Sequence, residues 1–372
     1  MNSSQEPNEN ELNQLLNLYQ KGESKNLKNF SKDLLGSYPN SAQCFMYLAI
    51  GYFQESDNLK AEKFLKKSIS INQNNHTAFN ILGVIQQRLR KYNDAIISYN
   101  KSFELNSNDG NSLNNLSNLY RDTGKPLDSL KCINLALNKN PENISFMTNK
   151  VLTLLILEKI EEAKQIAEKI YSIDKDHIIN LNSLGIINNY LNQDEDAIKY
   201  FKKAIEIKKD YNDAYLNLID ILCKCDKFTE VKEVIIVLLK NYNDPKFYDK
   251  LTKTIIFRDK IVKGITLLDE LNNIYKNNPN LLNNLGNLHR FNNNNELAIK
   301  NLKQAIQLDQ SDYSLHNDLG AIFFEEDKYD LAEKHYLKSL ELKNNDAVVY
   351  HNLGNLKTAK KEMDDGIHYY QK

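Results

Sequence analysis

Apolar residues recur along this chain at helical spacing, in blocks separated by short polar breaks. In the stretch 94–105, "DAIISYNKSFEL", Ala95, Tyr99 and Ser102 stand at i, i+4 and i+7, which places them on one face of a helix. The same pattern returns in "DAIKYFKKAIEI" (196–207) and "DLAEKHYLKSLEL" (330–342). Each block follows another apolar-periodic stretch that carries Leu-Gly. The pattern predicts amphipathic helices arranged in pairs and joined by tight turns.

The pairs repeat. Gly83, Ala95, Tyr99 and Ser102 are matched by Gly185, Ala197, Phe201 and Ala204, and again by Gly320, Ala332, Tyr336 and Ser339. From Gly83 to Gly185 is three periods of about 34 residues. Leu-Gly lies on the first helix of each pair and the small–aromatic–small set on the second. Small residues at the crossing let the backbones approach, and the aromatic fills the space beside them. Neither helix buries its apolar stripe alone, so each pair must stack on the next. Enlarging Ala95, Ala197 or Ala332 to Leu overpacks this crossing, at about 1–3 kcal/mol.

These landmarks and this period resemble the tetratricopeptide repeat (TPR) family over nearly the whole chain. The resemblance implies an all-α fold, a right-handed α-solenoid of antiparallel helix pairs. It places repeats near 8–41, 42–75, 76–109, 110–143, 144–177, 178–211, 212–244, 245–278, 279–312 and 313–346, with a partial one at 347–372. The expected organisation is a single array over 1–372. Degenerate repeats are expected at 8–41, at 144–177, where Lys150-Val151 replaces Leu-Gly, and at 212–278. In the last of these Val231 and Leu238 replace small residues and Pro279 arrives late. That lateness predicts one helix longer by about a turn and a local irregularity in the stack.

Composition supports the pattern. Only 12 Gly and 6 Pro occur in 372 residues, so few breakers interrupt the helices. With 48 basic and 49 acidic residues, the chain lacks the basic footprint of a nucleic-acid binder. Its longest apolar run, "VLTLLIL" (151–157), is far short of a membrane span. The polar, acidic opening reads as no secretory signal, and a cytoplasmic setting is expected. Cys44, Cys132, Cys223 and Cys225 are too sparse for a disulfide framework and read as packing thiols. The seven histidines occupy different repeat positions and give no metal-ligand set. No nucleophile–base–orienter set and no cofactor motif can be assembled. The expectation is a non-enzymatic protein without cofactor, metal or small-molecule substrate.

Asparagine on the first helices is the candidate chemistry. Flanking Leu-Gly are Asn115, Asn149, Asn217, Asn284 and Asn352 before it, and Asn118, Asn287 and Asn355 after it. An amide both donates and accepts, so a ladder of them suits the backbone of an extended peptide. Arg121 and Arg290 stand at equivalent places and suit carboxylates. The set resembles the asparagine ladder of TPR arrays attached to O-GlcNAc transferase-type glycosyltransferases. Tyr47, Ile81, Ser183 and Asp318 interrupt it. The Lys-bearing chaperone clamp of another TPR subclass is not matched, because Met46, Asn80, Asn114, Thr148 and Asn182 fill its positions. Two functions follow as expectations. One is a scaffold for a protein or peptide partner. The other is the recognition arm of a larger transferase, of O-GlcNAc/Spindly type or less readily a sulfotransferase or methyltransferase. Lys372 falls short of a full period, so the register also predicts that the chain is a fragment.

Overall fold

The structure is a computed structural model, and it describes residues 6–241 and 246–372. Among the described residues there are 22 helices. They divide between two compact units, 1–187 and 188–372. The first unit holds α1 (Glu9–Gln20) with α2 (Ser24–Ser37), α3 (Ala42–Gln54) with α4 (Asn58–Ile71), and α5 (His76–Arg88) with α6 (Tyr92–Leu105). It continues with α7 (Asn111–Asp122) and α8 (Pro126–Lys139), then α9 (Ile144–Ile156) and α10 (Ile160–Ile173). Helix α11 (Ile178–Tyr190) runs through the boundary, and α12 (Asp194–Ile207) opens the second unit. There follow α13 (Asn212–Lys224) with α14 (Phe228–Asn241), α15 (Lys246–Phe257) with α16 (Ile261–Ile274), and α17 (Pro279–Phe291) with α18 (Asn295–Leu308). Last come α19 (Tyr313–Glu325) with α20 (Tyr329–Leu342), and α21 (Ala347–Ala359) with α22 (Met363–Tyr370). Within each unit, short turns make consecutive helices antiparallel neighbours.

Local chemistry sets the ends. Asn75, Asn143, Asn278 and Asp312 each accept a backbone N–H at the start of a first helix, satisfying one of the donors that a helix start leaves open. Within the pairs, the turn after the first helix passes through the left-handed region. Ser56, Arg90, Glu158, Asp226, Asp259, Asn293, Asp327 and Lys361 adopt φ between 53° and 65° there, and Gly124 does so at 75°.

The crossing is as tight as the repeat requires. A Cβ on Gly83 would lie 2.5 Å from the Tyr99 ring, one on Gly320 2.7 Å from Tyr336, and one on Gly354 2.5 Å from Tyr370. The serine three residues after the aromatic has a second role. Ser102 donates to the His76 carbonyl and Ser339 to the Tyr313 carbonyl, both at 2.8 Å. Ser68 bonds the Ala42 carbonyl in the same way at 2.7 Å. Each ties the end of a second helix to the start of its first. Where Ser117 replaces Gly, a buried hydroxyl chain forms instead. Ser117 meets Ser129 at 2.8 Å, Ser129 meets Thr153 at 2.9 Å, and Thr153 donates to the Asn149 carbonyl. At 144–177 the sizes are exchanged: Val151 stands at the Gly place and Ala167 at the aromatic place, both fully buried.

The stretch 212–278 departs from expectation in one respect. Neither helix of its second pair is lengthened: α15 has 12 residues and α16 has 14. Pro279 does not trail α16 as Pro141 trails α8. It opens α17 at the first helical turn behind the Asn278 cap, where a missing N–H costs nothing. The irregularity itself is present. Helices α13–α14 and α15–α16 pack less closely than α5–α6 or α19–α20. Ile219 and Thr252 occupy the Gly places, and Val231, Leu238 and Leu271 occupy small places, all buried. Larger side chains at the crossing hold the backbones apart.

Candidate functional site

The amides before Leu-Gly are engaged in stacking. Asn115 Nδ2 donates to Asn80 Oδ1 at 3.0 Å, Asn149 to Asn114 at 2.8 Å, Asn284 to Asp249 at 3.0 Å and Asn352 to Asn317 at 2.9 Å. Each bond reaches one repeat back, and the acceptor stands one place earlier on the preceding first helix. The interruption at Asp318 is also part of the network, because Asn287 Nδ2 donates to its Oδ2 at 3.2 Å. Burial pushes the Asp318 carboxyl up, while Asn287 and Arg290 oppose the shift. Asn355 accepts the Tyr370 hydroxyl at 2.7 Å, and Asn217 lies half-buried on α13. Asn115, Asn149, Asn284, Asn287 and Asn352 therefore stitch neighbouring repeats together, while Asn355 ties the two helices of its own pair. Each still has hydrogen-bonding capacity beyond one bond.

Two cavities gather the remaining candidates. In the first unit Asn115, Asn118 and Arg121 line a cavity of about 480 Å³ with Gln87, Arg88, Tyr92, Tyr99 and Asp122. Asn118 Oδ1 is buried there without a hydrogen-bond partner. In the second unit Asn284 and Asn287 line a cavity of about 570 Å³ with Asn283, Asp249, Asp318, Phe257 and Phe291. Asn149, Asn217, Arg290, Asn352 and Asn355 belong to neither. Phe257 is 80% exposed and Phe291 53%. Sequence reasoning passed over both, although an aromatic recurs here at the end of two successive first helices.

Other clusters are quiet or small. Burial pushes the Cys132 thiol up to about 11 and the Cys223 thiol up to about 12, so neither is a thiolate near neutral pH. His316 and His335, scattered in the sequence, meet at 3.0 Å between their Nδ1 atoms on α19 and α20. Among the described residues no group of three or more metal-ligating side chains converges. Nor is any helix there long and apolar enough to cross a membrane.

Comparison with known proteins agrees with the geometry. A model described as tetratricopeptide repeat matches residues 76–109, 180–211 and 313–346, and one described as TPR repeat matches 286–327. This chain carries tetratricopeptide repeats. Its TPR helices overlay those of PilW, described as a widely conserved type IV pilus biogenesis factor. The TM-score is 0.51 at 18% identity, over 57% of this chain and 98% of that one. PilF of Pseudomonas aeruginosa gives a TM-score of 0.48 at 18% identity, over 54% of this chain and 91% of that one. Among curated proteins, the human protein O-mannosyl-transferase TMTC3 is 23% identical over 211 residues. That stretch is 55% of this TPR chain but only 23% of the relative's length.

Proposed function

We propose that this chain is a non-catalytic scaffold whose first-helix face takes an extended segment of a partner protein. The observation that carries the reading is the cavity between α15, α17 and α19. Two outward phenylalanines, Phe257 and Phe291, stand in it beside Asn283, Asn284 and Asn287. An exposed aromatic pair is a costly surface unless something covers it, and aromatic anchors with a polar rim are how interfaces concentrate their energy. The amides suit peptide backbone and the aromatics suit an apolar side chain of the segment. The unit boundary falls inside α11, and the repeat period runs through it. Both support reading residues 1–372 as one array.

The test is peptide capture by the whole chain, scored against the double variant Phe257→Ala/Phe291→Ala. Loss of two aromatic anchors is expected to weaken capture by more than about tenfold, the equivalent of about 1.4 kcal/mol. Both side chains are exposed, so folding is unaffected and helical circular dichroism checks it. Capture of the same peptides at unchanged affinity rules the reading out.

A second reading is favoured by the partial likeness to a protein O-mannosyl-transferase. In it the array is the substrate-recognition arm of a larger transferase, of that kind or of the O-GlcNAc/Spindly type. The complete coding sequence decides: a catalytic domain in the same reading frame supports it, and further repeats alone remove it.

A further inference from the structure

The two arginines that the repeat places alike differ in charge balance. Arg290 is neutralised within the stack: Nε donates to Glu325 Oε2 at 2.9 Å and Nη2 to Oε1 at 2.5 Å. Asp318 adds a second favourable charge. At the same register around Arg121, Ile156 stands where Glu325 does and Asn149 where Asp318 does. Arg121 is left with Asn149 Oδ1 at 3.4 Å. Its nearest carboxylate oxygen is Asp122 Oδ1, 3.8 Å from Nε on a mostly exposed side chain. Yet the Arg121 side chain is only 15% exposed. Burial pushes its pKa down, and Asp122 offsets this only in part. A half-buried guanidinium without a close counter-ion is an uncommon and costly arrangement.

Its surroundings point to a ligand. Arg88 lines the same cavity. It sits 4.2 Å over the Phe53 ring, and no carboxylate among the described residues pairs with it. Asn118 lines the same cavity, and its buried, unpartnered Oδ1 needs a donor. Among the described residues Asp122 is the one carboxylate lining the cavity. Two guanidinium groups against it leave a net positive charge, and with the buried acceptor the site suits an anion and an N–H together. Arg121 presents a planar fork, which matches a carboxylate in two-point contact.

We propose that this cavity holds an Asp or Glu side chain of an extended partner segment. The carboxylate lies on Arg121 and Arg88, and a backbone N–H of the same segment lies on Asn118 Oδ1. The inference rests on the peptide-binding reading and adds a charge preference to it, at a site separate from the phenylalanine pair.

The experiment selects displayed random peptides on the whole chain, on Arg121→Gln and on Ile156→Glu. Ile156 is 54% exposed, so Ile156→Glu keeps the fold and supplies in cis the partner that Arg290 has in Glu325. The wild-type chain is expected to enrich Asp and Glu at one position of the selected peptides. Both variants are expected to lose that enrichment and to bind the selected acidic peptides about tenfold more weakly. Peptides recovered without an acidic position overturn the carboxylate site and leave the phenylalanine groove standing. Acidic enrichment that both variants retain overturns it as well. Recovery of no peptide at all overturns both readings. A labelled single-stranded oligonucleotide is the last arm. If it binds with the same Arg121 dependence, the site is one for phosphate and the proposal fails.

Discussion

His316 and His335 face each other with room for one proton between them. With Nδ1 atoms 3.0 Å apart, one ring donates and the other accepts, so the accepting ring must be neutral and the contact is lost once both rings are protonated. Burial pushes His335 down to about 4, helped by His316, Lys334 and Lys303, and pushes His316 down as well, helped by Lys338 and opposed by Glu341. Both folded values lie below the ordinary histidine value of about 6.5, so acid favours the unfolded chain. The stabilisation is full above about pH 6.5 and is lost as pH falls towards about 4. Denaturation midpoints followed through this window should fall, and His335→Gln should flatten the slope. A profile unchanged by that substitution contradicts the assignment. Gly320 offers a prediction of another kind. A methyl group there meets the Tyr336 ring at 2.7 Å, so Gly320→Ala should cost about 1–3 kcal/mol in chemical denaturation.

Each helix pair balances two volumes, and the balance differs from pair to pair. Glycine faces tyrosine at 83/99, whereas valine and alanine occupy those places at 151/167. Tyr99→Ala alone leaves a cavity, at about 3–5 kcal/mol. Gly83→Val alone overpacks. Combined, they reproduce the 151/167 arrangement, so a double-mutant cycle should show a favourable coupling of more than about 1 kcal/mol. Simple additivity would exclude the exchange. Much of this was legible in the sequence, because Gly83, Ala95 and Tyr99 recur at a fixed period and the crossing admits few side chains. The amide partners were not legible. Asn115 bonds Asn80, a whole period and one residue back, because a helical side chain leans over the turn preceding it. A ladder read by register alone misses that offset. Phe257 was hidden by its place in a degenerate repeat. The contrast between Arg121 and Arg290 lies one repeat further on, in Ile156 against Glu325, a pairing that the register of the arginines alone does not disclose.

Across the molecule, stability is a sum of local terms and neighbour contacts rather than a property of one core. The second unit is uneven in this respect. Its core from Leu282 to Leu356 is a single cluster of buried side chains, while α13–α16 pack loosely around Ile219 and Thr252. Amide hydrogen exchange in α13–α16 should proceed through openings cheaper than global unfolding, while α17–α20 exchange more slowly. Equal protection in both would contradict this. The paired volumes also bear on how a gene of repeats is rearranged. A recombination joint placed between helix pairs carries each matched crossing along intact. A joint inside a pair does not. Fusing the first helix of 144–177 to the second helix of 76–109 sets Val151 against Tyr99, and the reciprocal product sets Gly83 against Ala167. One is overfilled and the other hollow, so shuffled descendants of this gene should retain only joints that fall between pairs.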